Sequence, residues 1–196
     1  MKTLKLLTSL LVGIPTLVDA QAFGVQMGAT ASNYHARLAG SKNDPTFVEI
    51  TVPQPNSEFE SYLAITTPQT GICKVIGVGR THKNDDYGID LRSKYSDLKS
   101  TLNERYGKSD DIDFLRSGAL WKEPREFVWS LYKHERVLVS YWTPNAGSLL
   151  RPPIRALSLE AKSVDPSLGS YLSLSYEFEN FPQCQAIMAK AENDSL

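Results

Sequence analysis

Apolar residues recur along this chain at two spacings, one of two residues and one of three to four. Alternation at every second residue is the pattern of a half-buried β-strand, and it is strict from Leu172 to Phe178. Similar alternation, or a short apolar run bounded by turn residues, marks several other segments. Strands are therefore predicted at residues 46–52, 58–66, 72–80, 136–142, 155–162 and 171–179, with a further short one at 23–27.

Helical spacing is clearest at residues 91–106, where apolar side chains recur at every third or fourth position. These positions are Leu91, Tyr95, Leu98, Leu102 and Tyr106. Asp90 is placed to cap the free amides at the start of this helix, and Gly107 to end it with a left-handed residue. A closing helix that begins near Pro182 is also predicted, with Cys184 on its apolar side, and a short helix is predicted at residues 30–38.

The order of these elements predicts a single α+β domain at residues 21–196. Its antiparallel sheet should have about six strands, with two or three helices mainly on one face. A parallel sheet would need a crossover helix between most neighbouring strands, and residues 46–80 leave no room for one.

Residues 1–20 do not fit this domain and have the pattern of a signal peptide. Lys2 and Lys5 precede a short apolar run at 6–18, and Val18-Asp19-Ala20 offers small residues at a cleavage site. Cleavage is expected after Ala20 or after Ala22. A buried helix is the alternative, but this segment is apolar on every side. Because no other segment has the ~18 apolar residues of a membrane span, the mature protein is expected to be periplasmic or secreted.

Composition excludes one large class of partner. The net charge of the 196 residues is -1, and removal of residues 1–20 takes away two lysines and one aspartate, which gives -2. Nucleic-acid binding needs a basic face that releases counterions, and Lys and Arg do not cluster along this chain. We therefore expect no nucleic-acid partner.

The two cysteines, Cys73 and Cys184, are predicted to form one disulfide, because an even count in an exported protein favours a bridge. Two buried free thiols or a metal pair are the alternatives. In a regular strand Cys73 would share its face with Val75, Gly77 and Gly79, whose small side chains would let the last helix approach closely. The bridge should therefore form where that helix crosses this face.

Motifs that would indicate catalysis or a cofactor are incomplete. Gly77-Val78-Gly79 has no third glycine for a dinucleotide loop, and residues 82–90 gather oxygen ligands at a spacing unlike that of a calcium loop. Carboxylate pairs occur at Glu123 with Glu126 and at Asp111 with Asp113, which glycoside hydrolysis could use only across a cleft. No cofactor, metal or catalytic residue is predicted, although a triad from distant residues stays possible in principle.

Residues 121–142 hold six of the nineteen aromatic residues of the chain, including all three tryptophans. Aromatic side chains near arginine are typical of recognition surfaces, since they offer a large area with few torsions to freeze. Trp121, Arg125 and Trp129 are therefore candidate partner-binding residues. The alternative is that most of these aromatics fill the core between a helix and the sheet.

Several segments resemble small exported bacterial proteins that have no assigned activity. They are residues 77–81, Tyr87-Gly88, the helix with Gly107, residues 118–124 and residues 135–138. The resemblance covers most of residues 70–190, implies a bacterial source and an extracytoplasmic address, and brings no catalytic residue. In addition, residues 23–28 before a short helix look like the openings of exported domains related to β-lactamase inhibitors.

These observations favour a binding or accessory protein of the cell envelope, such as an inhibitor-like module, without catalysis, whose partner is another envelope protein or a small ligand. A hydrolase that uses carboxylates with His82 or His134 is the first alternative, and a structural envelope component is the second. The oligomeric state is left open.

Overall fold

The computed structural model describes residues 22–39 and 46–193. Its strands are β1 (Arg37–Leu38), β2 (Phe47–Glu49), β3 (Phe59–Thr67), β4 (Gly71–Gly79), β5 (Asp110–Leu115), β6 (Arg136–Trp142), β7 (Ile154–Asp165) and β8 (Gly169–Phe178). They form one antiparallel sheet in the order β1-β2-β3-β4-β8-β7-β6-β5. The predicted signal peptide at residues 1–20 lies outside the described residues.

The α+β class and the antiparallel sheet are confirmed, but the predicted number of about six strands is wrong, since the sheet has eight. β1 occupies the end of the segment predicted as a helix, and β5 was not predicted because three of its six residues are aspartates. The strand predicted at residues 23–27 is also wrong. Phe23 has φ 55° inside a 3-10 turn at Ala22–Gly24, a left-handed conformation that no strand accommodates.

Three α-helices accompany the sheet: α1 (Ile89–Tyr106), α2 (Phe127–Tyr132) and α3 (Phe181–Asn193). α1 confirms the predicted helix, but its cap differs. The carboxylate of Asp85, not that of Asp90, accepts the amides of Ile89 (2.7 Å) and Leu91 (3.0 Å), while Asp90 lies inside the first turn. Within the described segments, no helix has the length and apolar content needed to span a membrane.

One face of the sheet carries the main core. α1 packs there against β7 and β8, and α2 against β6 and β7. Leu91 and Tyr95 of α1 and Leu159 and Leu174 of the sheet are all buried and belong to the same core cluster. At the end of α1, the Trp142 indole donates to the carbonyl of Gly107 (2.9 Å). These contacts fix α1 across β6, β7 and β8.

The opposite face carries α3, whereas α1 and α2 share the first face, in agreement with the prediction that the helices lie mainly on one face. α3 packs against β3 and β4, with Phe181 and Cys184 in a small separate cluster with Cys73 and Ile65. The Asn180 amide donates to the carbonyls of Thr70 (3.1 Å) and Ile72 (3.2 Å), which fastens the start of α3 to the β3–β4 turn.

The predicted disulfide between Cys73 and Cys184 is present, with Cα atoms 6.5 Å apart. The predicted face of Cys73 is wrong. A shift of register between Ile65 and Thr66 makes β4 bulge, so that Ile72 joins Val75 in the main core and Cys73 contacts Ile65 on the other side. The bulge thus lets α3 form its bridge from the face away from α1.

Candidate functional site

The connection between β5 and β6 forms the candidate site, because it contains the three predicted partner-binding residues. It begins with a loop, passes through a 3-10 turn at Pro124–Glu126 and continues as α2. Proline suits the first position of such a turn, and Glu123 and Glu126 close it reciprocally. The amide of Glu123 donates to the Glu126 carboxylate (3.0 Å), and the Glu123 side chain accepts the Glu126 amide.

This fold brings Trp121 and Trp129 together in a parallel stack. Their ring centroids are 4.7 Å apart and their planes are 15° from parallel. Tyr132 meets Trp129 edge-on at 6.0 Å, and the Lys133 ammonium lies 4.7 Å from the Tyr132 ring centroid. We call Trp121, Trp129 and Tyr132 the aromatic cluster.

The aromatic cluster stands on a short helix whose other side is buried. Phe127, Val128 and Leu131 of α2 enter the main core, whereas Trp129 is 36% exposed. Lys133 adds a cation close to the Tyr132 ring, at a distance suited to cation–π attraction. The cluster is therefore carried by a helix that packing holds in place.

A second set of contacts holds Trp121. Its backbone amide donates to the Glu135 carboxylate (2.9 Å), and the Glu135 backbone bonds to Arg116 (2.7 Å) and Ser130 (2.9 Å). Trp121 is thereby fixed against both ends of the connection. A stack fixed in this way can receive a partner without losing much rotamer freedom on binding.

Exposure around the cluster differs from one residue to the next. Trp121 is half-buried, Leu120 beside it is 80% exposed, and Arg125 is exposed in the 3-10 turn. Among the described residues, Arg125 forms no ion pair, so its charge is available to solvent or to a ligand. The arrangement offers a flat aromatic surface with the Lys133 ammonium beside it, and Arg125 lies between Trp121 and Trp129 along the sequence.

The remaining aromatics of residues 121–142 divide between the core and the surface. Phe127 and Trp142 are buried, as the core interpretation expects, whereas Tyr141 is exposed on the opposite face of the sheet. Core filling therefore accounts for two of the six aromatic side chains.

The carboxylate pairs considered for hydrolysis have structural partners. Glu123 and Glu126 close the 3-10 turn, as described above. Asp113 forms an ion pair with Arg136 (3.1 Å), and Asp111 binds Lys99 (2.9 Å). No pair faces its mate across a cleft in the part of the chain that the structure describes.

Asp111 also ends a partly buried hydrogen-bond chain that sequence reasoning missed. The Ser140 hydroxyl donates to Asp111 Oδ1 (2.6 Å), and Tyr95 OH lies 2.6 Å from Ser140 Oγ. Burial raises the pKa of Tyr95 to about 12. Burial alone would raise the pKa of Asp111, but hydrogen bonds from Lys99, Ser140 and Ser109 outweigh it and lower that pKa. This hydrogen-bond chain joins α1 to β6 and β5. The one sign of it in the sequence is an isolated serine on the core side of β6.

His82, Asp85 and Asp90 lie close enough to offer ligand atoms within 4.8 Å of one another. Both Asp85 oxygens already accept α1 amides, so this carboxylate acts as a helix cap. His35 and His134 are exposed residues with positive φ, at 53° and 55°, in separate turns. The structure therefore does not assemble the three histidines into one site.

A cleft of about 330 Å³ beside Tyr141 is lined in part by Arg155 and Glu177. These two side chains form an ion pair of 3.1 Å, and Glu177 also pairs with Lys74 (3.2 Å). The charged groups of this cleft thus neutralise one another and leave no unpaired acid.

Comparisons with known proteins do not identify the chain: no protein-family model, no curated protein and no solved structure matches it.

Proposed function

We propose that this protein is a non-catalytic binding protein of the cell envelope that docks its partner on the aromatic cluster. The observation that carries the proposal is the stacked Trp121–Trp129 pair, which is partly exposed on a helix anchored in the core. Tryptophan, tyrosine and arginine dominate the binding energy of known interfaces, because they present a large rigid area that excludes water.

The neighbouring residues support this proposal. Leu120, next to Trp121 in sequence, adds exposed apolar surface, and Lys133 places positive charge beside Trp129 and Tyr132, while the exposed Arg125 lies in the turn between the two tryptophans. An apolar centre with a charged rim is the usual anatomy of a protein interface. The expected partner is another envelope protein, or a small ligand with an aromatic or apolar group that fits the stack.

An extracytoplasmic address rests on the signal pattern of residues 1–20 together with the Cys73–Cys184 bridge. Disulfides persist in oxidising compartments such as the periplasm and the medium. The resemblance to exported bacterial proteins agrees with that address.

A hydrolase receives less support, because the carboxylates considered for it cap helices, close a turn or form ion pairs. A structural envelope component would not need an exposed tryptophan stack. The aromatic cluster therefore favours binding over both alternatives.

The test is capture of partners from periplasmic or medium extract by the immobilised mature protein and two variants. Trp129→Ala removes the more exposed half of the stack without touching the buried side of α2. Tyr87→Ala is the matched control, since Tyr87 is an exposed aromatic in the loop before α1.

We expect the native protein and Tyr87→Ala to retain the same partner, and Trp129→Ala to lose most of it. Arg125→Ala should weaken capture to a smaller degree, because a rim charge acts mainly on the association rate. A partner retained equally by Trp129→Ala and the native protein would contradict the proposal.

A further inference from the structure

The outer edge of β5 is a second surface without a partner strand, on the opposite border of the sheet from β1. β5 pairs with β6 along all six of its residues and with no other strand in the described ranges. In an edge strand, alternate backbone amides and carbonyls point away from the sheet and remain free to pair. β1, at the other edge, has only two residues, which is too short to accept a stable strand.

β5 carries few of the features that protect sheet edges. Proteins usually blunt an edge with a proline, a bulge, a lysine or a covering element. β5 contains neither proline nor lysine, and its register with β6 runs without a shift. Of these kinds of protection β5 has only charge, from its aspartates. Aspartates repel an acidic strand but not a basic one.

The two faces of β5 differ in chemistry. Ile112 and Phe114 are 44% and 49% exposed, and they lie beside Tyr141, which is 42% exposed, on the face away from α1. Asp111 and Asp113 point to the other face. Their ion pairs with Lys99 and Arg136 leave these carboxylates half exposed or more, at 47% and 61% of the side chain. Asp110 shares the face of Ile112 and Phe114, and Leu115 shares the face of Asp111 and Asp113. Along residues 111–114, an incoming strand would therefore meet apolar side chains on one face and carboxylates on the other.

A second copy of this chain is a poor occupant of this edge. A symmetric antiparallel pair that continues the sheet must be centred on a residue, because opposite side chains share a face. Centred on Ile112, it would place Asp111 opposite Asp113 of the other copy. Centred on Asp110, Asp111 or Asp113, it would place two identical aspartates together, and like charges directly opposite are destabilising. Centred on Phe114 or Leu115, it would avoid these pairs but would pair no more of β5 than residues 113–115.

We infer that the β5 edge binds an extended segment of another polypeptide in which basic and apolar residues alternate. Basic side chains would lie opposite Asp111 and Asp113, and apolar ones would cover Ile112 and Phe114. The backbone of the segment would pair with β5 as a ninth antiparallel strand, a known mode of peptide recognition. This inference uses a different surface from the aromatic cluster and does not depend on it.

The test uses a labelled six-residue peptide, acetyl-Lys-Val-Lys-Val-Lys-Val-amide, titrated into the folded protein. Two control peptides are matched in length. One carries Glu in place of Lys, and the other carries N-methyl groups at alternate backbone amides, which removes its donors along one edge.

We expect saturable binding of the Lys-Val peptide, and binding at least ~10-fold weaker for both control peptides, since one repels the carboxylates and the other cannot form the ladder. Amide exchange should slow at alternate residues of β5 and stay unchanged in β1. Equal binding of the Lys-Val and N-methylated peptides, or of the Lys-Val and Glu-Val peptides, would overturn the inference. Absence of saturation up to about 1 mM peptide would also overturn it.

Two protein variants make the result specific to β5. Phe114→Asp should weaken binding of the Lys-Val peptide about 10-fold, whereas Leu168→Asp, at an exposed apolar residue of the β7–β8 turn, should leave it unchanged. Asp113→Lys should weaken the Lys-Val peptide and strengthen the Glu-Val peptide. If instead sedimentation shows that the native chain dimerises and Phe114→Asp abolishes the dimer, a second copy occupies the edge and the inference is wrong.

Discussion

At the scale of single residues, a hydrogen-bond chain runs from the buried Tyr95 through the buried Ser140 to the half-exposed Asp111. The Ser140 hydroxyl donates its hydrogen bond to Asp111. Ser140 Oγ is therefore left to accept a hydrogen bond from the Tyr95 hydroxyl. Removal of Ser140 leaves the buried Tyr95 hydroxyl without this partner, whereas Asp111 keeps its hydrogen bonds from Lys99 and Ser109. Sequence patterning could not find this chain, because its members are far apart and a lone buried serine carries no periodic signal.

Ser140→Ala should lower the free energy of unfolding by about 1–3 kcal/mol, since it leaves the Tyr95 hydroxyl buried without its acceptor. Urea unfolding of the native protein and of Ser140→Ala, Tyr95→Phe and the double variant measures this cost. In the double variant the cost should be smaller than the sum of the two single costs. Strictly additive costs would contradict the proposed coupling.

The raised pKa of Tyr95, about 12, makes a prediction for alkaline stability. The folded state favours the neutral phenol of Tyr95. The contribution of this group to the free energy of unfolding is therefore complete below pH 10 and is lost as the pH rises from 10 towards 12. Tyr95→Phe should therefore lose less stability than the native protein across this range. Parallel loss in both proteins, measured by urea unfolding at each pH, would refute the assignment.

At the scale of elements, the long strands and α1 were predictable because their periodicity is strong and their ends carry turn residues. β5 was not, since three of its six residues are aspartates and 20 residues separate it from its partner β6. The face of Cys73 was mispredicted for a different reason. One bulged residue reverses the alternation, and pairing with β3 creates that bulge, which the sequence of β4 alone does not reveal.

The start of α1 provides a matched pair of variants. Asp85→Ala should destabilise the protein by about 0.5–2 kcal/mol, because it removes the acceptor of two helix amides. Asp90→Ala, at the position that sequence reasoning favoured as the cap, should cost less than Asp85→Ala. Chemical denaturation of both variants gives the comparison, and a larger cost at Asp90 would show that the cap is assigned to the wrong residue.

At the scale of the whole molecule, the chain forms two four-stranded halves, β1–β4 and β5–β8, joined where β4 meets β8. α1 follows the first half and packs on strands of the second, while α3 follows the second half and packs on strands of the first. The helices lie on opposite faces of the sheet. The halves are thus fastened to each other by two helices, by the β4–β8 ladder and by the disulfide.

Removal of the disulfide should cost about 2–5 kcal/mol, because the bridge joins residues 111 positions apart and restricts the unfolded chain strongly. The double variant Cys73→Ala/Cys184→Ala avoids a free thiol, and its guanidinium unfolding compared with that of the native protein measures the loss. A loss below about 1 kcal/mol would mean that the bridge contributes little beyond the packing of α3.

The enrichment of aromatic residues at 121–142 pointed to the candidate site, but it could not predict that Trp121 and Trp129 stack. The stack depends on the turn at Pro124–Glu126, which returns the chain so that Trp129 meets Trp121. The burial of Phe127 depends on how α2 packs on the sheet, which was likewise not predictable.

The central claim is that a partner covers the aromatic cluster, and iodide quenching of tryptophan emission tests it most directly. Trp142 is fully buried and serves as the internal reference, whereas Trp129 is partly exposed. We expect iodide to quench part of the emission of the free protein, and the captured partner to protect that part. If the complex forms and the quenchable fraction does not change, the partner binds elsewhere and the account is wrong.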